Sequence, residues 1–129
     1  MERGAITFGG VFFKCQDKNN LIAWYKKHLG IPLASWGAVF PFENAYKNHP
    51  EAYNVFSPFS ADTNYFEPSA SPFMFNFIVE NLDALLVCLS AEGIKQVKPL
   101  ESSEFGKFAW ILDCEGNKVE LWQPVKSSN

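Results

Sequence analysis

Residues 113–124 read DCEGNKVELWQP, a tight turn followed by a short strand near the end of the chain. Gly116 supplies the positive φ that a tight hairpin turn needs. Because side chains alternate along a strand, Val119 and Leu121 share one apolar face. The opposite face is mixed and carries Lys118, Glu120 and Trp122. The stretch therefore predicts a closing hairpin with one carboxylate, Glu120, on its mixed face.

An internal repeat organises the rest of the chain. Residues 10–31 (GVFFKCQDKNNLIAWYKKHLGI) align with residues 74–94 (MFNFIVENLDALLVCLSAEGI) when one residue is skipped at the first helix start. Each copy reads as a strand, a polar cap, an amphipathic helix and a glycine followed by isoleucine. A duplicated unit predicts two modules of the same architecture within one domain, residues 1–129.

Each copy predicts a helix that covers the apolar face of its strand. The apolar stripes consist of Leu21, Trp24, Tyr25, His28 and Leu29 in the first helix, and of Leu82, Leu85, Leu86 and Leu89 in the second. Asn81 is a good N-cap, while Gly30 and Gly93 stand where a helix needs a left-handed residue after its last turn. The two helices are therefore predicted with defined ends.

Further strands are predicted from alternation and turn residues. The predicted strands are 10–15, 33–42 and 51–57 in the first module (6–58), and 74–79, 94–100, 106–113 and 118–123 in the second (72–124). The intervening segment, 59–71, is rich in Pro and Ser and is predicted to be a linker.

Composition excludes several classes of partner. The net charge is −3, and no run of basic residues exceeds the pair Lys26 and Lys27, so no nucleic-acid partner is expected. No apolar run approaches the length of a membrane span and no signal segment is evident, which predicts a cytoplasmic protein without a membrane partner. The three cysteines are expected to be reduced thiols.

The repeat, the linker and the ending DxEGNxxELWxP together resemble the vicinal oxygen chelate superfamily, over residues 6–124. That superfamily includes glyoxalase I, extradiol dioxygenases, fosfomycin-resistance enzymes and bleomycin-resistance proteins. The resemblance implies an α+β fold in which two βαβββ modules form half-barrels around a central cavity. It also implies a cavity floor that can hold a divalent metal, and a homodimer.

The metal positions implied by the resemblance fall on Gly10, Asn54, Met74 and Glu120. Glycine has no side chain to offer, the Met74 thioether suits hard divalent ions poorly, and Asn54 offers one carbonyl oxygen. No metal and no other cofactor is therefore expected. The histidines do not replace the missing ligands, because His28 and His49 are predicted to be packing and surface residues.

Strand parity predicts the cavity lining from the mixed faces. These faces carry Gly10, Phe12, Lys14, Ala52, Asn54, Phe56, Met74, Asn76, Ile78, Lys118, Glu120 and Trp122. Apolar walls with few polar groups are typical of a small-molecule pocket. Gly10 either opens room at the cavity floor or marks a bulge.

Glu120 has two interpretations. It is paired with Lys14 or Lys118 and inert, or it is desolvated by Phe12, Phe56 and Trp122 and acts as a base or grips a cationic ligand.

Three functional hypotheses follow. The first is a metal-independent protein that binds a small aromatic or cationic molecule. The predicted ligand-binding residues are Gly10, Phe12, Asn54, Phe56, Met74, Asn76, Glu120 and Trp122. The second is a glyoxalase-like lyase or isomerase, or a dioxygenase, that uses Glu120 as catalytic base or metal ligand. The third is a structural dimer whose cavity is filled by its own side chains.

Overall fold

The computed structural model describes residues 3–126, so the ends of the predicted domain 1–129 lie outside the described residues. Three helices and four strands follow one another along this part of the chain. They are α1 (Lys18–Leu29), α2 (Phe42–Asn48), β1 (Phe75–Ile78), α3 (Leu82–Ala91), β2 (Lys98–Ser103), β3 (Gly106–Leu112) and β4 (Lys118–Pro124).

The four strands form one open mixed sheet in the order β1-β4-β3-β2. β1 runs parallel to β4, whereas β2, β3 and β4 form an antiparallel meander. The strand–helix–strand connection from β1 through α3 leads into this meander, as the second βαβββ module requires. The strands predicted for residues 74–79, 106–113 and 118–123 are therefore confirmed to within one residue at each end, whereas the strand predicted at 94–100 lies later in the chain, at Lys98–Ser103.

The predicted helices are confirmed together with their caps. Asp17 accepts a hydrogen bond from the Asn20 N–H at the start of α1, and Asn81 accepts one from the Ala84 N–H at the start of α3. Gly30 ends α1 in the left-handed region with φ 65°. Side-chain oxygens thus satisfy N–H groups that the first helical turn leaves unpaired.

The hydrophobic core lies between the helices and one face of the sheet. It contains Leu21 and Tyr25 from α1, Leu82 and Leu89 from α3, and the sheet residues Ala109, Ile111, Val119 and Leu121. Val119 and Leu121 are completely buried, as their predicted parity requires. The mixed face of β4 consequently points to the other side of the sheet, away from the helices.

The first half of the chain differs from its prediction. Residues 10–15 and 51–57 carry no strand, and residues 33–42 contain one isolated bridge between Ala34 and Gly37 before α2 begins. The strand predictions for these three segments were therefore wrong for the single chain. Alternation makes a segment suitable for a sheet, but its backbone N–H and C=O groups also need a neighbouring strand.

The segment 10–15 nevertheless lies beside the sheet. The ring of Phe13 packs edge-on against Phe75 of β1, with ring centroids 4.7 Å apart. Similarly, Tyr53 approaches Trp122 of β4, with ring centroids 5.3 Å apart. Aromatic packing rather than strand pairing thus holds these two segments against the second module.

The DCEGN turn connects the two halves through hydrogen bonds, of which the one between Tyr25 and Asp113 is buried. The Asp113 carboxylate accepts from the Tyr25 hydroxyl at 2.6 Å and from the Asn117 side chain at 2.9 Å. The Glu115 carboxylate accepts from the backbone N–H groups of Gln16 and Asp17, both at 2.8 Å. The turn that closes the last hairpin therefore also fixes the chain that enters α1.

None of the helices within residues 3–126 has the length and apolar character of a membrane span.

Candidate functional site

Glu120 lies at the centre of the sheet, in the middle of β4. The strand register places Asn76 of β1 beside it on one side and Trp110 of β3 beside it on the other. Residues opposite one another in paired strands point to the same face. The backbone pairing therefore brings an amide and an indole to the two sides of the carboxylate.

Both carboxylate oxygens of Glu120 accept hydrogen bonds. Oε1 accepts from the Asn76 side-chain nitrogen at 2.7 Å, and Oε2 accepts from the Trp110 ring nitrogen at 2.8 Å. Oε2 also accepts from the Tyr65 hydroxyl at 2.5 Å. Tyr65 belongs to the linker 59–71, so three separate parts of the chain converge on this one side chain.

The Glu120 side chain is buried and is held by uncharged donors. The residue is 8% exposed, and within residues 3–126 no lysine, arginine or histidine forms an ion pair with it. A buried charge is tolerated when hydrogen bonds replace its water, and Asn76, Tyr65 and Trp110 supply them. Glu120 therefore does not form the ion pair with Lys14 or Lys118 that one of the two interpretations predicted.

Lys118 points its amine at the neighbouring aromatic groups. Its Nζ donates to the Tyr65 carbonyl oxygen at 2.6 Å and lies 5.0 Å from the centre of the Tyr65 ring. Burial, followed by the positive charge of Lys98, lowers the pKa of Lys118 below its usual range. Lys98 itself lies over the Trp110 ring, 4.1 Å from its centre.

Tyr65 is a hydrogen-bond donor to Glu120. Burial, then the hydrogen bond to Glu120 and its negative charge, raise the pKa of Tyr65 well above its usual value. The physical cause is that a phenolate beside the Glu120 carboxylate would bring two negative charges together. The hydroxyl therefore stays protonated and donates a hydrogen bond to Oε2.

A cleft of about 470 Å³ opens beside these groups and is called here the Glu120 cleft. Its lining comprises Tyr65, Glu101, Ser102, Ser103, Phe108, Trp110 and Glu120. The rings of Phe108 and Trp110 are stacked nearly parallel, 6.4 Å apart. The cleft thus combines aromatic walls, the hydroxyls of Tyr65 and Ser103, and two carboxylates, of which Glu120 is buried and Glu101 is exposed.

The structure brings only some of the predicted ligand-binding residues together. Asn76 and Glu120 are in direct contact, and Trp122 lies on the same face of β4. The Trp122 ring stacks on Phe108 and donates through its ring nitrogen to the Phe105 carbonyl oxygen at 2.8 Å. These three predicted residues therefore occupy one side of the sheet.

The remaining predicted residues lie elsewhere. Asn54 and Phe56 line a second cleft of about 500 Å³, together with Ile6, Thr7, Phe8, Phe42, Ala52 and Tyr53. Gly10 and Phe12 are exposed, and Met74 immediately precedes β1. Neither Phe12 nor Phe56 covers Glu120, whose surroundings are Tyr65 and Trp110 instead. The ligand-binding roles of Gly10, Phe12, Asn54, Phe56 and Met74 stay predictions.

Two of the hydrogen-bond partners of Glu120 were missed by sequence reasoning, as were Glu101, Ser102, Ser103 and Phe108 of the cleft lining. Trp110 lies in a strand that was predicted, and pairing 106–113 with 118–123 across the DCEGN turn would have placed it opposite Glu120. Tyr65 lies in the linker, where neither periodicity nor a motif indicates which side chain turns inward. Only the path of the folded chain identifies it.

The donor set around Glu120 does not fit a divalent metal. Its immediate neighbours are N–H and O–H donors, whereas a metal needs lone pairs from several oxygen, nitrogen or sulfur ligands. Of the positions implied by the resemblance, Gly10 and Asn54 are not among its hydrogen-bond partners. Within residues 3–126, no group of three or more His, Cys, Asp or Glu side chains is placed to hold a metal ion.

Comparison with known proteins gives matches among solved structures. A member of the glyoxalase/bleomycin resistance protein/dioxygenase superfamily from Sphaerobacter thermophilus superposes with a TM-score of 0.50 at 20% identity, covering 84% of this chain and 90% of that one. This chain has the glyoxalase/bleomycin resistance/dioxygenase fold. The resemblance seen in the sequence is thus confirmed at the level of fold.

Two further solved structures are similar to this chain, one without a known function and one over about half of its length. A protein of unknown function from Agrobacterium tumefaciens has a TM-score of 0.53 at 17% identity, covering 94% of this chain and 100% of that one. A glyoxalase family protein from Enterococcus faecalis is 27% identical, but the match covers 50% of this chain and 52% of that one, with a TM-score of 0.37. No protein-family model and no curated protein matches the sequence.

Proposed function

We propose that this protein is a metal-independent binder of a small aromatic or cationic molecule, which it holds in the Glu120 cleft. The observation that carries the proposal is the buried Glu120 carboxylate beside aromatic walls. A carboxylate has about four acceptor positions, and the protein fills three of them with Asn76, Tyr65 and Trp110. One acceptor position is left for a donor on a ligand.

The walls of the cleft support the same proposal. Phe108 offers partly exposed apolar surface against which a ring can stack, while Ser103 offers a hydroxyl at the rim. Apolar walls supply affinity and a few polar groups set the orientation, which is the usual composition of a small-molecule site. Metal independence is supported by the donor groups that surround Glu120, since these compete with a cation for its lone pairs.

The test compares Glu120→Gln with Glu101→Gln by isothermal titration calorimetry. A series of small aromatic alcohols and amines, first screened by thermal shift, supplies the ligands. Losing a hydrogen bond to a charged group costs about 1.5–3 kcal/mol, so Glu120→Gln should weaken binding by at least tenfold. Glu101 lines the same cleft but is exposed and pairs with Lys98, so its replacement should weaken binding less than Glu120→Gln does.

Two results would overturn the proposal. If purified protein carries stoichiometric Zn, Ni, Mn or Fe, the site binds metal and the superfamily's enzymatic chemistry becomes the better interpretation. If both glutamine variants bind every ligand of the series as the wild type does, Glu120 is not part of the binding site.

We further propose a second copy of this chain as the protein partner. Among residues 3–126, all but three of the exposed large hydrophobic side chains lie in residues 6–59, the exceptions being Val87, Phe105 and Val125. Apolar surface of this extent is unusual on a monomer. Within the described residues β1 is paired on one side only, so an unpaired segment such as 10–15 of a second copy could add to that edge.

A further inference from the structure

The linker places a phenol in the Glu120 cleft. The Tyr65 ring lines the cleft, its hydroxyl donates to Glu120 Oε2 at 2.5 Å, and its ring stacks on Phe59 with the two planes 15° apart. We propose that the ligand of this site is itself a phenol, an aromatic ring with a neutral hydroxyl, and that it binds by replacing Tyr65. This inference rests on the proposed function and names the ligand class of the same cleft.

The hydroxyl is the first requirement. When Tyr65 leaves, Oε2 keeps the Trp110 N–H and loses its other donor, and an aromatic molecule that takes the place of the Tyr65 ring shields this oxygen from water again. A buried carboxylate short of a donor is costly, so the incoming molecule must bring an N–H or O–H group of its own. A plain hydrocarbon ring would fill the space but leave this oxygen unpaired.

The two lysines favour a neutral donor over a cationic one. Lys118 Nζ lies 5.0 Å and Lys98 Nζ 5.7 Å from the centre of the Tyr65 ring. An ammonium group brought to this place would be attracted by Glu120 but repelled by both lysine ammonium groups, whereas a neutral hydroxyl bonds to Glu120 without this repulsion. The same amines attract the face of an electron-rich ring, and a hydroxyl substituent makes a ring electron-rich.

Tyr65 lies on a segment outside the helices and strands, where its backbone carbonyl accepts a hydrogen bond from Lys118 Nζ, so only its side chain has to leave the cleft. Residues 59–71 contain turns but no helix or strand, and Tyr65 itself is half-buried. Its side chain is held by the Glu120 hydrogen bond and by Phe59, which is itself exposed. The free energy needed to displace the Tyr65 side chain lowers the apparent affinity of the ligand, because the ligand binds only when this side chain has left the cleft.

The experiment measures binding of 4-methylphenol, toluene and benzylamine to the wild-type protein and to Tyr65→Ala by calorimetry. The variant removes the internal phenol and leaves a space of its shape. We expect 4-methylphenol to bind Tyr65→Ala at least tenfold more tightly than the wild type. Toluene lacks the hydroxyl and benzylamine is cationic, and each should bind Tyr65→Ala at least tenfold more weakly than 4-methylphenol does.

Tyr46→Ala is the matched control, because Tyr46 is exposed on α2 and should leave the 4-methylphenol affinity unchanged. If circular dichroism shows that Tyr65→Ala is unfolded, Tyr65→Phe replaces it. Phenylalanine keeps the ring but no longer competes for Glu120, so 4-methylphenol should bind this variant several-fold more tightly than the wild type.

The outcomes separate this inference from the proposed function. If benzylamine binds as well as 4-methylphenol, or if neither Tyr65 variant gains affinity, the phenol inference is overturned while aromatic binding at the cleft stands. If none of the three compounds binds the wild type or either variant, both proposals are overturned.

Discussion

Glu120 is held by donors from three different parts of the chain. Asn76 comes from β1, Trp110 from β3 and Tyr65 from the linker, so the carboxylate fixes the linker to the face of the sheet opposite the helices. The site is therefore both a candidate ligand contact and a structural joint. A neutral substitute changes both properties together, and for this reason the exposed Glu101 of the same cleft is the useful comparison.

Tyr25 gives a prediction at the same scale. It is buried, and burial, followed by the hydrogen bond to Asp113 and that group's negative charge, raises the pKa of Tyr25 above its usual value of about 10. Above pH 10 the unfolded chain loses the phenol proton while the folded protein keeps it. The folded state then binds more protons, so its stability falls as the pH rises, by about 1.4 kcal/mol per pH unit.

Tyr25→Phe should remove this contribution. Urea unfolding at pH values between 9 and 11 should show a shallower loss of stability than in the wild type, once the pH exceeds about 10. At pH 7 the variant should be about 1–3 kcal/mol less stable, because the buried Asp113 loses a donor. Tyr46→Phe, at an exposed tyrosine, should stay within about 0.5 kcal/mol of the wild type at pH 7. Equal pH slopes for Tyr25→Phe and the wild type would contradict the prediction.

At the scale of elements, two glycines have special positions in the β3–β4 hairpin: Gly106 begins β3, and Gly116 lies in the turn that joins the two strands. Gly116 lies in the turn between these strands with φ 80°, and a Cβ added there would meet open space. Gly106 begins β3 with φ 119°, and a Cβ added there would overlap the backbone carbonyl of Gln123. Gly106 is thus required both by its positive φ and by the close approach of the β4 backbone. Gly116 is required by its positive φ alone.

We therefore expect Gly106→Ala to be more destabilising than Gly116→Ala. The strained backbone of Gly116→Ala should cost about 1–2 kcal/mol. Gly106→Ala adds an overlap that the paired strands can relieve only by moving apart, which adds about 1–3 kcal/mol. Thermal or urea unfolding measures both. Equal losses of stability would mean that β4 does not approach Gly106 as closely as the structure shows.

At the scale of the whole molecule, the two halves differ in how they bury their apolar residues. The second half forms the sheet, and its apolar face is covered by both α1 and α3. Residues 6–59 contribute α1 to this core but leave many large apolar side chains at the surface. This asymmetry is the physical basis for proposing a second copy as the partner.

The dimer proposal gives a prediction for sedimentation. The wild type should sediment as a dimer at micromolar concentration, and Phe56→Asp should shift it toward the monomer, because a buried unpaired carboxylate opposes association. Phe56 is exposed in the single chain, so the change should not disturb the core. Val87→Asp is the control, since Val87 is an exposed apolar residue of α3 outside residues 6–59. A monomeric wild type would contradict the proposal.

The candidate site could be predicted only in part. Glu120 and its face on β4 follow from alternation in KVELWQ, and Asn76 follows from alternation in MFNFIV. Their direct contact needed the parallel register of β1 and β4, which no local pattern specifies. Phe12 and Phe56 were predicted to cover Glu120 because their segments resemble strands, but the single chain gives those segments no strand partners.

The sequence by itself determined the two capped helices, the strands of the second module and the face of β4 that carries Glu120. These features depend on local periodicity, on capping residues and on the chemistry of turns. Only the tertiary structure decided that Tyr65 reaches Glu120, that Asn76 and Trp110 flank it, and that the first half forms no strands. These depend on contacts between residues far apart in the chain, where burial and backbone pairing outweigh local preference.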